Sequence, residues 1–297
     1  MEKRDELRAA LAAIFCHVFW GFSFLASRKG LEQTHVFVLL SHRFLIAFLA
    51  MQLIPGITKS LMASRKQLGG MVLLGLAQPV LYFFGEQYGL LHATTGFSGV
   101  MIAMIPVVST LAAAPILGER PSPGQLLCSL ISVGGVVGLG LMNGSSGTLD
   151  WLGVAALLLA VCAASAYTLL GRSLSASTSP LQRTYVMMGV GAAVFTALAL
   201  VQCRGNLAAY LEPLGRGSYL LSVLYLSLLC SVAGFFLSSY AIGRLPVARE
   251  TVFSNLTTAV SVFAGVALLE EPFSWLSLLF VLLILAGIWG VQRTARS

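Results

Sequence analysis

Three ionisable side chains, His17, Arg43 and Glu86, lie inside long apolar stretches of the chain. A charge there costs roughly 2.5–3.5 kcal/mol on an insertion scale, so each must face protein or water. Gln78, Tyr82 and Glu86 recur at i, i+4 and i+8, which places them on one face of a helix. Arg43 follows Ser41 and His42 in the preceding apolar stretch, and a rise of about 1.5 Å per residue sets Arg43 and Glu86 at similar depth below one membrane surface. Two chemistries are open to this pair. It can be a permanent ion pair pinning two helices, or Glu86 can exchange Arg43 for a proton or a cationic substrate as a cavity opens. His17 stands one turn from Trp20 and two from Phe24. A mid-membrane imidazole can titrate and aromatic neighbours can stack on a planar or cationic ligand, but a lone histidine can equally just bond a neighbouring helix.

A second polar group follows near the C-terminal end, where Glu250, Ser254 and Thr258 recur every four residues beside Asn255 and Ser261. Such a stripe either lines a cavity or packs helices together. Phe97, Met101, Tyr167 and Tyr240 are the side chains that would complete an aromatic, adaptable pocket; taken singly, each is equally a core or lipid contact. The candidate substrate-binding set is therefore His17, Trp20, Phe24, Gln78, Tyr82, Glu86, Phe97, Met101, Tyr167, Tyr240, Ser254, Asn255 and Thr258, with Glu86, Arg43 and His17 as the coupling or ion-pair group. No catalytic or metal set stands beside it. The chain has no GxxxxGK[ST] phosphate loop and no HExxH helix, and after Asp5-Glu6 its acidic residues are scattered singly apart from Glu270-Glu271. His35 and His42 are seven apart with no third ligand evident. Neither a cofactor nor a metal is expected, and the rival to a carrier is a membrane enzyme or assembly subunit.

These residues must be held by membrane helices. The 297 residues are 57% hydrophobic and only 10% charged, with a mean hydropathy of +0.88, against about 25% charged in a soluble domain. A water-facing surface cannot be covered with so few charges, which excludes a soluble enzyme, a DNA-binding domain and a secreted disulfide scaffold. The five cysteines form no CxxC pair. With about 20 apolar residues per span, the chain divides into ten segments, near 8–27, 35–54, 69–91, 95–117, 124–142, 150–171, 183–202, 218–241, 247–269 and 274–292. Ten spans put both termini on one side. The loops then sharing that side hold most of the 18 Lys and Arg residues, whereas the other side has Arg28, Lys29, Arg204 and Arg216. The net charge of +7 thus reads as topology, with both termini cytoplasmic, and not as nucleic-acid binding.

The chain also repeats itself. A shift of 152 residues lays Leu76 on Leu228, Phe83-Phe84 on Phe235-Phe236, Val108-Ser109 on Val260-Ser261, Glu119 on Glu271, Gly135 on Gly287 and Gly138 on Gly290, without a gap. The unit is five helices. Five being odd, the second copy must cross the bilayer in the opposite sense. The expected fold is an all-α integral membrane protein of ten transmembrane helices, built as two inverted five-helix repeats over 1–147 and 148–297 around a midplane cavity. Gly134xxxGly138 in helix 5 is a packing motif, and also a candidate dimer face.

With these features the sequence resembles the ten-helix EamA branch of the drug/metabolite transporter superfamily. The likeness rests on His17-Val18-Phe19-Trp20-Gly21-Phe22-Ser23-Phe24, Arg43 followed by Ala47, Tyr88-Gly89-Leu90, Pro106, Leu117-Gly118-Glu119-Arg120 and Leu269-Glu270-Glu271-Pro272, and spans essentially the whole chain. Thr257-Thr258 stands where many relatives have a proline like Pro106. The resemblance implies an alternating-access secondary carrier for small organic molecules such as amino acids, nucleosides or organic cations, often exporting them. The expected partners are that substrate, the bilayer of the cell (inner or plasma) membrane and, as a candidate coupling ion, protons; the expected assembly is a monomer or weak dimer.

Overall fold

The computed structural model describes residues 3–54, 56, 67–92, 101–142, 150–268 and 274–294, and among these the regular structure is entirely helical. Helix α1 spans Lys3–Leu31, with Asp5 and Glu6 in its first turn and Arg28 and Lys29 in its last, each complementing the helix dipole. Helix α2 is Val36–Gln52. Helix α3 runs as Leu68–Gly75, a widened turn at Leu76–Leu81, and Tyr82–His92. Helix α4, Ile105–Leu117, stops at Gly118, whose φ of 72° is left-handed and suits glycine. Helix α5 is Pro123–Met142. Asp150 caps α6, Trp151–Leu174, by accepting the Leu152 N–H. Helix α7, Pro180–Gln202, begins in a capping box between Ser179 and Gln182. After short helical turns at Leu207–Leu211 and Glu212–Gly215, α8 runs as Gly217–Leu224, a widened turn at Tyr225–Ala233, and Gly234–Ile242. Helix α9 is broken into Val247–Thr251 and Ser254–Leu268, and α10 is Trp275–Arg293.

Among the described residues, six helices are long and apolar enough to cross a membrane: Arg4–Leu31, Leu68–Gly89, Trp151–Leu174, Pro180–Gln202, Gly217–Ile242 and Trp275–Arg293. Val36–Gln52, Met101–Leu117 and Pro123–Leu139 are shorter apolar helices. Their outward faces are apolar, with Leu127, Leu141, Trp151, Trp275 and Leu282 all exposed. In water that surface would aggregate; in a bilayer it is the solvated one.

Two interiors result. One lies among α2, α3, α6, α7 and α8, where Phe44 stacks on Phe195 at 5.6 Å and Met51, Met71, Met187 and Met188 fill the gaps. The other lies among α1, α5, α9 and α10, around Ala13, Val133, Val252 and Ile284.

Helices α5 and α10 pack backbone to backbone. A methyl group on Gly135 would fall 2.7 Å from the Phe280 carbonyl oxygen, and one on Gly287 2.6 Å from that of Cys128. The 152-residue shift carries Gly135 onto Gly287 and Cys128 onto Phe280, so one contact is made twice, with the helices antiparallel. Ser132 Oγ crosses the same seam to donate to the Ile284 carbonyl at 3.2 Å, again residues 152 apart. Ser109 of α4 donates to Ser165 of α6 at 3.0 Å, and Ser261 of α9, its counterpart under the shift, donates to the Gly21 carbonyl of α1 at 3.0 Å. The Gly134xxxGly138 motif divides between two surroundings: Gly138 is covered by the Phe280 ring, while Gly134 has open space beside it. Gly138 thus serves packing within the chain.

Candidate functional site

The widened turn of α8 is the hub of the polar interior. A π-type widening offsets the backbone ladder, and here Trp20 Nε1 of α1 donates to the Cys230 carbonyl at 2.9 Å. One residue on, Ser231 Oγ accepts from Arg43 Nε of α2 at 2.8 Å, with both side chains buried. Gly234 makes room for the indole, since a Cβ there would lie 2.9 Å from Trp20 Nε1. Phe235 meets Trp20 edge-on at 5.3 Å and Tyr167 of α6 at 6.2 Å, and the Tyr167 hydroxyl shares a 3.0 Å hydrogen bond with Ser238. Four helices therefore converge on residues 230–238: α1 and α2 from the first half, α6 and α8 from the second.

His17 joins this cluster from α1. Its ring meets Trp20 edge-on at 5.2 Å, and Nδ1 lies 3.0 Å from Thr257 Oγ1 of α9. The imidazole thus joins α1 to α9. The Phe24 side chain and Phe97 lie outside the described residues. Met101 is half-buried just ahead of α4.

Three sequence expectations change. Gln78 does not share a face with Tyr82 and Glu86: it has extended backbone, φ −144° and ψ 120°, beside Pro79, so the helical count breaks between 78 and 82. Past the break the spacing works, and Tyr82 donates to Glu86 Oε1 at 2.9 Å. Next, Arg43 and Glu86 form no direct ion pair among the described residues. The guanidinium is taken by Ser231 and lies 4.9 Å from the Phe83 ring centroid, with Glu86 still in electrostatic reach. Third, Asn255 is a packing residue, donating to Ser132 of α5 at 3.0 Å from a fully buried position. Tyr240 also stands apart from the hub, with the Arg244 guanidinium 3.7 Å from its ring centroid. Ser254 and Thr258 remain half-buried on α9.

Ser231, Cys230 and Phe235 carry no motif, and the candidate set omits them. The available signal was the repeat itself, which lays Cys230-Ser231 on Gln78-Pro79 and so the widened turn of α8 on that of α3. Glu250 is also absent from the set, yet it is buried at the break in α9, near Cys16 and Tyr167, its carboxyl group making no hydrogen bond or ion pair among the described residues.

The geometry makes a stability test direct. Ser231→Ala deprives a buried guanidinium of its hydrogen-bond partner, worth about 1.5–3 kcal/mol, and should lower the melting temperature in detergent more than Glu86→Gln does. The reverse order would mean that Arg43 depends on the carboxylate.

Comparison with known proteins adds identity to this arrangement. The chain is 30% identical over 297 residues to the uncharacterized transporter YcxC of Bacillus subtilis (strain 168), covering 98% of this chain and 94% of the relative. It is 27% identical over 288 residues to a protein of Streptantibioticus cattleyicolor named a probable terminal-alkyne amino-acid exporter, covering 96% of this chain and 94% of that one. A solved crystal structure superposes with a TM-score of 0.77 over 97% of each chain at 22% identity, which shows a shared fold. The model of the EamA-like transporter family matches twice, over 7–141 and 151–293. The chain is a multi-pass membrane transporter and not an enzyme, and it belongs to the EamA-like transporter family.

Proposed function

We propose that this transporter is a secondary carrier of a small organic metabolite, of the amino-acid, nucleoside or organic-cation class, and that it works by alternating access between two inverted five-helix halves, 1–147 and 148–297. The reading rests on the twice-made α5–α10 contact: helices equivalent under the 152-residue shift pack antiparallel through equivalent atoms, which is the relation of an inverted repeat. Under it the chain crosses the bilayer ten times, both termini face the cytoplasm of the cell membrane, and α5 and α10 stand as supports behind the moving helices. The site is the 230–238 hub, where Arg43 reaches Ser231, Trp20 reaches Cys230 and Phe235, and Tyr167 meets Phe235, so both halves share it. A guanidinium flanked by the Phe44 and Phe83 rings suits a ligand with a carboxylate and an apolar side chain. Within the three classes this favours an amino acid, and a relative's name as an amino-acid exporter favours outward transport.

The test is counterflow of labelled amino acids, nucleosides and quaternary amines into liposomes holding the purified protein. Saturable counterflow of an amino acid, weakened about tenfold or more by Arg43→Gln through loss of a charge-assisted contact, is the expected result. Preference for a quaternary amine, unaffected at Arg43, would refute the amino-acid assignment. Proton coupling is assigned to Glu86, secondarily His17. Glu86→Gln should abolish acceleration by a pH gradient while counterflow, which needs no net proton movement, survives. An unchanged gradient response would remove Glu86 from that role.

A further inference from the structure

A second polar site lies at the cytoplasmic end of the second half under the same topology, and it does not depend on what the hub transports. The α6–α7 turn and the α8–α9 turn enclose a cavity of about 420 Å³, lined among others by Ser175, Thr178, Ser179, Arg183, Gly243 and Arg244. Arg183 is 1% exposed. Its Nη1 donates to the Thr178 carbonyl at 2.9 Å and its Nη2 to the Ser239 carbonyl at 2.6 Å. Its Nε has no partner among the described residues. Arg244 holds only neutral groups as well: the Tyr240 ring, and the Tyr240 carbonyl at 3.3 Å.

Two guanidinium groups thus line one cavity with no carboxylate paired to either among the described residues. Their neighbours are treated differently. Arg172 pairs with Glu119 at 2.7 Å and Arg249 with Glu6 at 3.1 Å. Uncompensated like charges held together are unfavourable, and an anion that enters removes that cost. Ser179 strengthens the match: its Oγ accepts the Gln182 N–H at the start of α7, which leaves its hydroxyl hydrogen to donate outward. A tetrahedral oxyanion directs acceptor oxygens several ways at once and so can meet both guanidinium groups and the Ser179 hydroxyl, whereas one carboxylate satisfies a single fork in its plane.

We propose that this cavity binds a phosphoryl anion, supplied by the headgroup of an anionic phospholipid or by a soluble phosphate monoester. Basic pockets between helices on the cytoplasmic side are a recurrent place for such headgroups. The experiment uses the full-length protein in detergent and in nanodiscs, with Arg244→Gln as the test variant, since Arg183 also ties Thr178 to Ser239 and its loss risks misfolding. Arg8→Gln, at an exposed arginine of α1, is the control for net charge. Native mass spectrometry counts phosphatidylglycerol retained against phosphatidylcholine, and melting temperatures are read with inorganic phosphate and glycerol phosphate at millimolar concentration. Selective phosphatidylglycerol retention that falls about tenfold in Arg244→Gln, but not in Arg8→Gln, supports the site with a lipid source. Stabilisation by glycerol phosphate or phosphate with the same dependence on Arg244 supports it with a soluble source. Binding of neither probe, or equal loss in the two variants, overturns the proposal.

Discussion

Gly287→Ala is expected to lower the melting temperature by several degrees and to broaden the size-exclusion profile in detergent. The added methyl group would lie 2.6 Å from the Cys128 carbonyl oxygen and 2.6 Å from the Ser132 nitrogen, both backbone atoms that no rotamer change can move. α5 and α10 must separate, and overpacking of this kind costs about 1–3 kcal/mol, occasionally more. Gly135→Ala meets the Phe280 carbonyl oxygen at 2.7 Å and the Ile284 nitrogen at 3.0 Å, so its loss should match that of Gly287→Ala. The control is Gly134→Ala, which meets nothing within 4 Å. Alanine is the better helix former there by about 0.5–1 kcal/mol, so that variant should be neutral or slightly stabilised. A Gly287→Ala protein as stable as the Gly134→Ala one would show that the seam is loose.

Glu119→Ala should release the end of the molecule where α4, α6, α8 and α9 meet. Glu119 Oε1 accepts from Arg172 Nε at 2.7 Å while Oε2 accepts the Val247 N–H, also at 2.7 Å, so one carboxylate holds the end of α6 and the start of α9. Arg172 reaches on to the Gly243 carbonyl at 3.0 Å, at the end of α8. Glu119 belongs to the first half and the other three attachments to the second, which makes the network a tie between the halves. The pair is about three-quarters buried, so it is stronger than an exposed one, and its charge-assisted bonds are worth about 1.5–3 kcal/mol. A cysteine placed at Ala113, which is buried against Leu169 and Val247, reports opening. Its labelling by a membrane-impermeant maleimide should rise about tenfold or more when Glu119→Ala is added. Glu119→Gln should give a smaller rise, because an amide oxygen can still accept the Val247 N–H. Labelling that stays unchanged in both would mean that the tie does not hold this end shut.

Both predictions begin in residues visible in the sequence, but in different degree. The seam glycines stand out because the repeat lays Gly135 on Gly287; that Gly134 faces open space and Gly138 a phenylalanine ring required the helix pair itself. Glu119 sits in a turn that the resemblance singles out, whereas its partners Arg172 and Val247 lie 53 and 128 residues away. Spacing rules speak only for neighbours within one helix. They found Tyr82 with Glu86 and failed for Gln78, because Pro79 interrupts the helix between them.

Composition alone determined the solvent of this protein, since a chain with 10% charged residues cannot cover itself in water and must satisfy its backbone in helices. Sequence periodicity determined where the long apolar helices lie. Only the tertiary structure decided the partners of the buried polar groups. Arg43 went to Ser231 and not to Glu86, Asn255 to a neighbouring helix and not to a cavity, and the carbonyl of Cys230 to Trp20. A buried donor takes whichever acceptor packing brings within about 3 Å. That choice depends on how helices 188 or 210 residues apart in the chain turn toward each other, which no local pattern encodes.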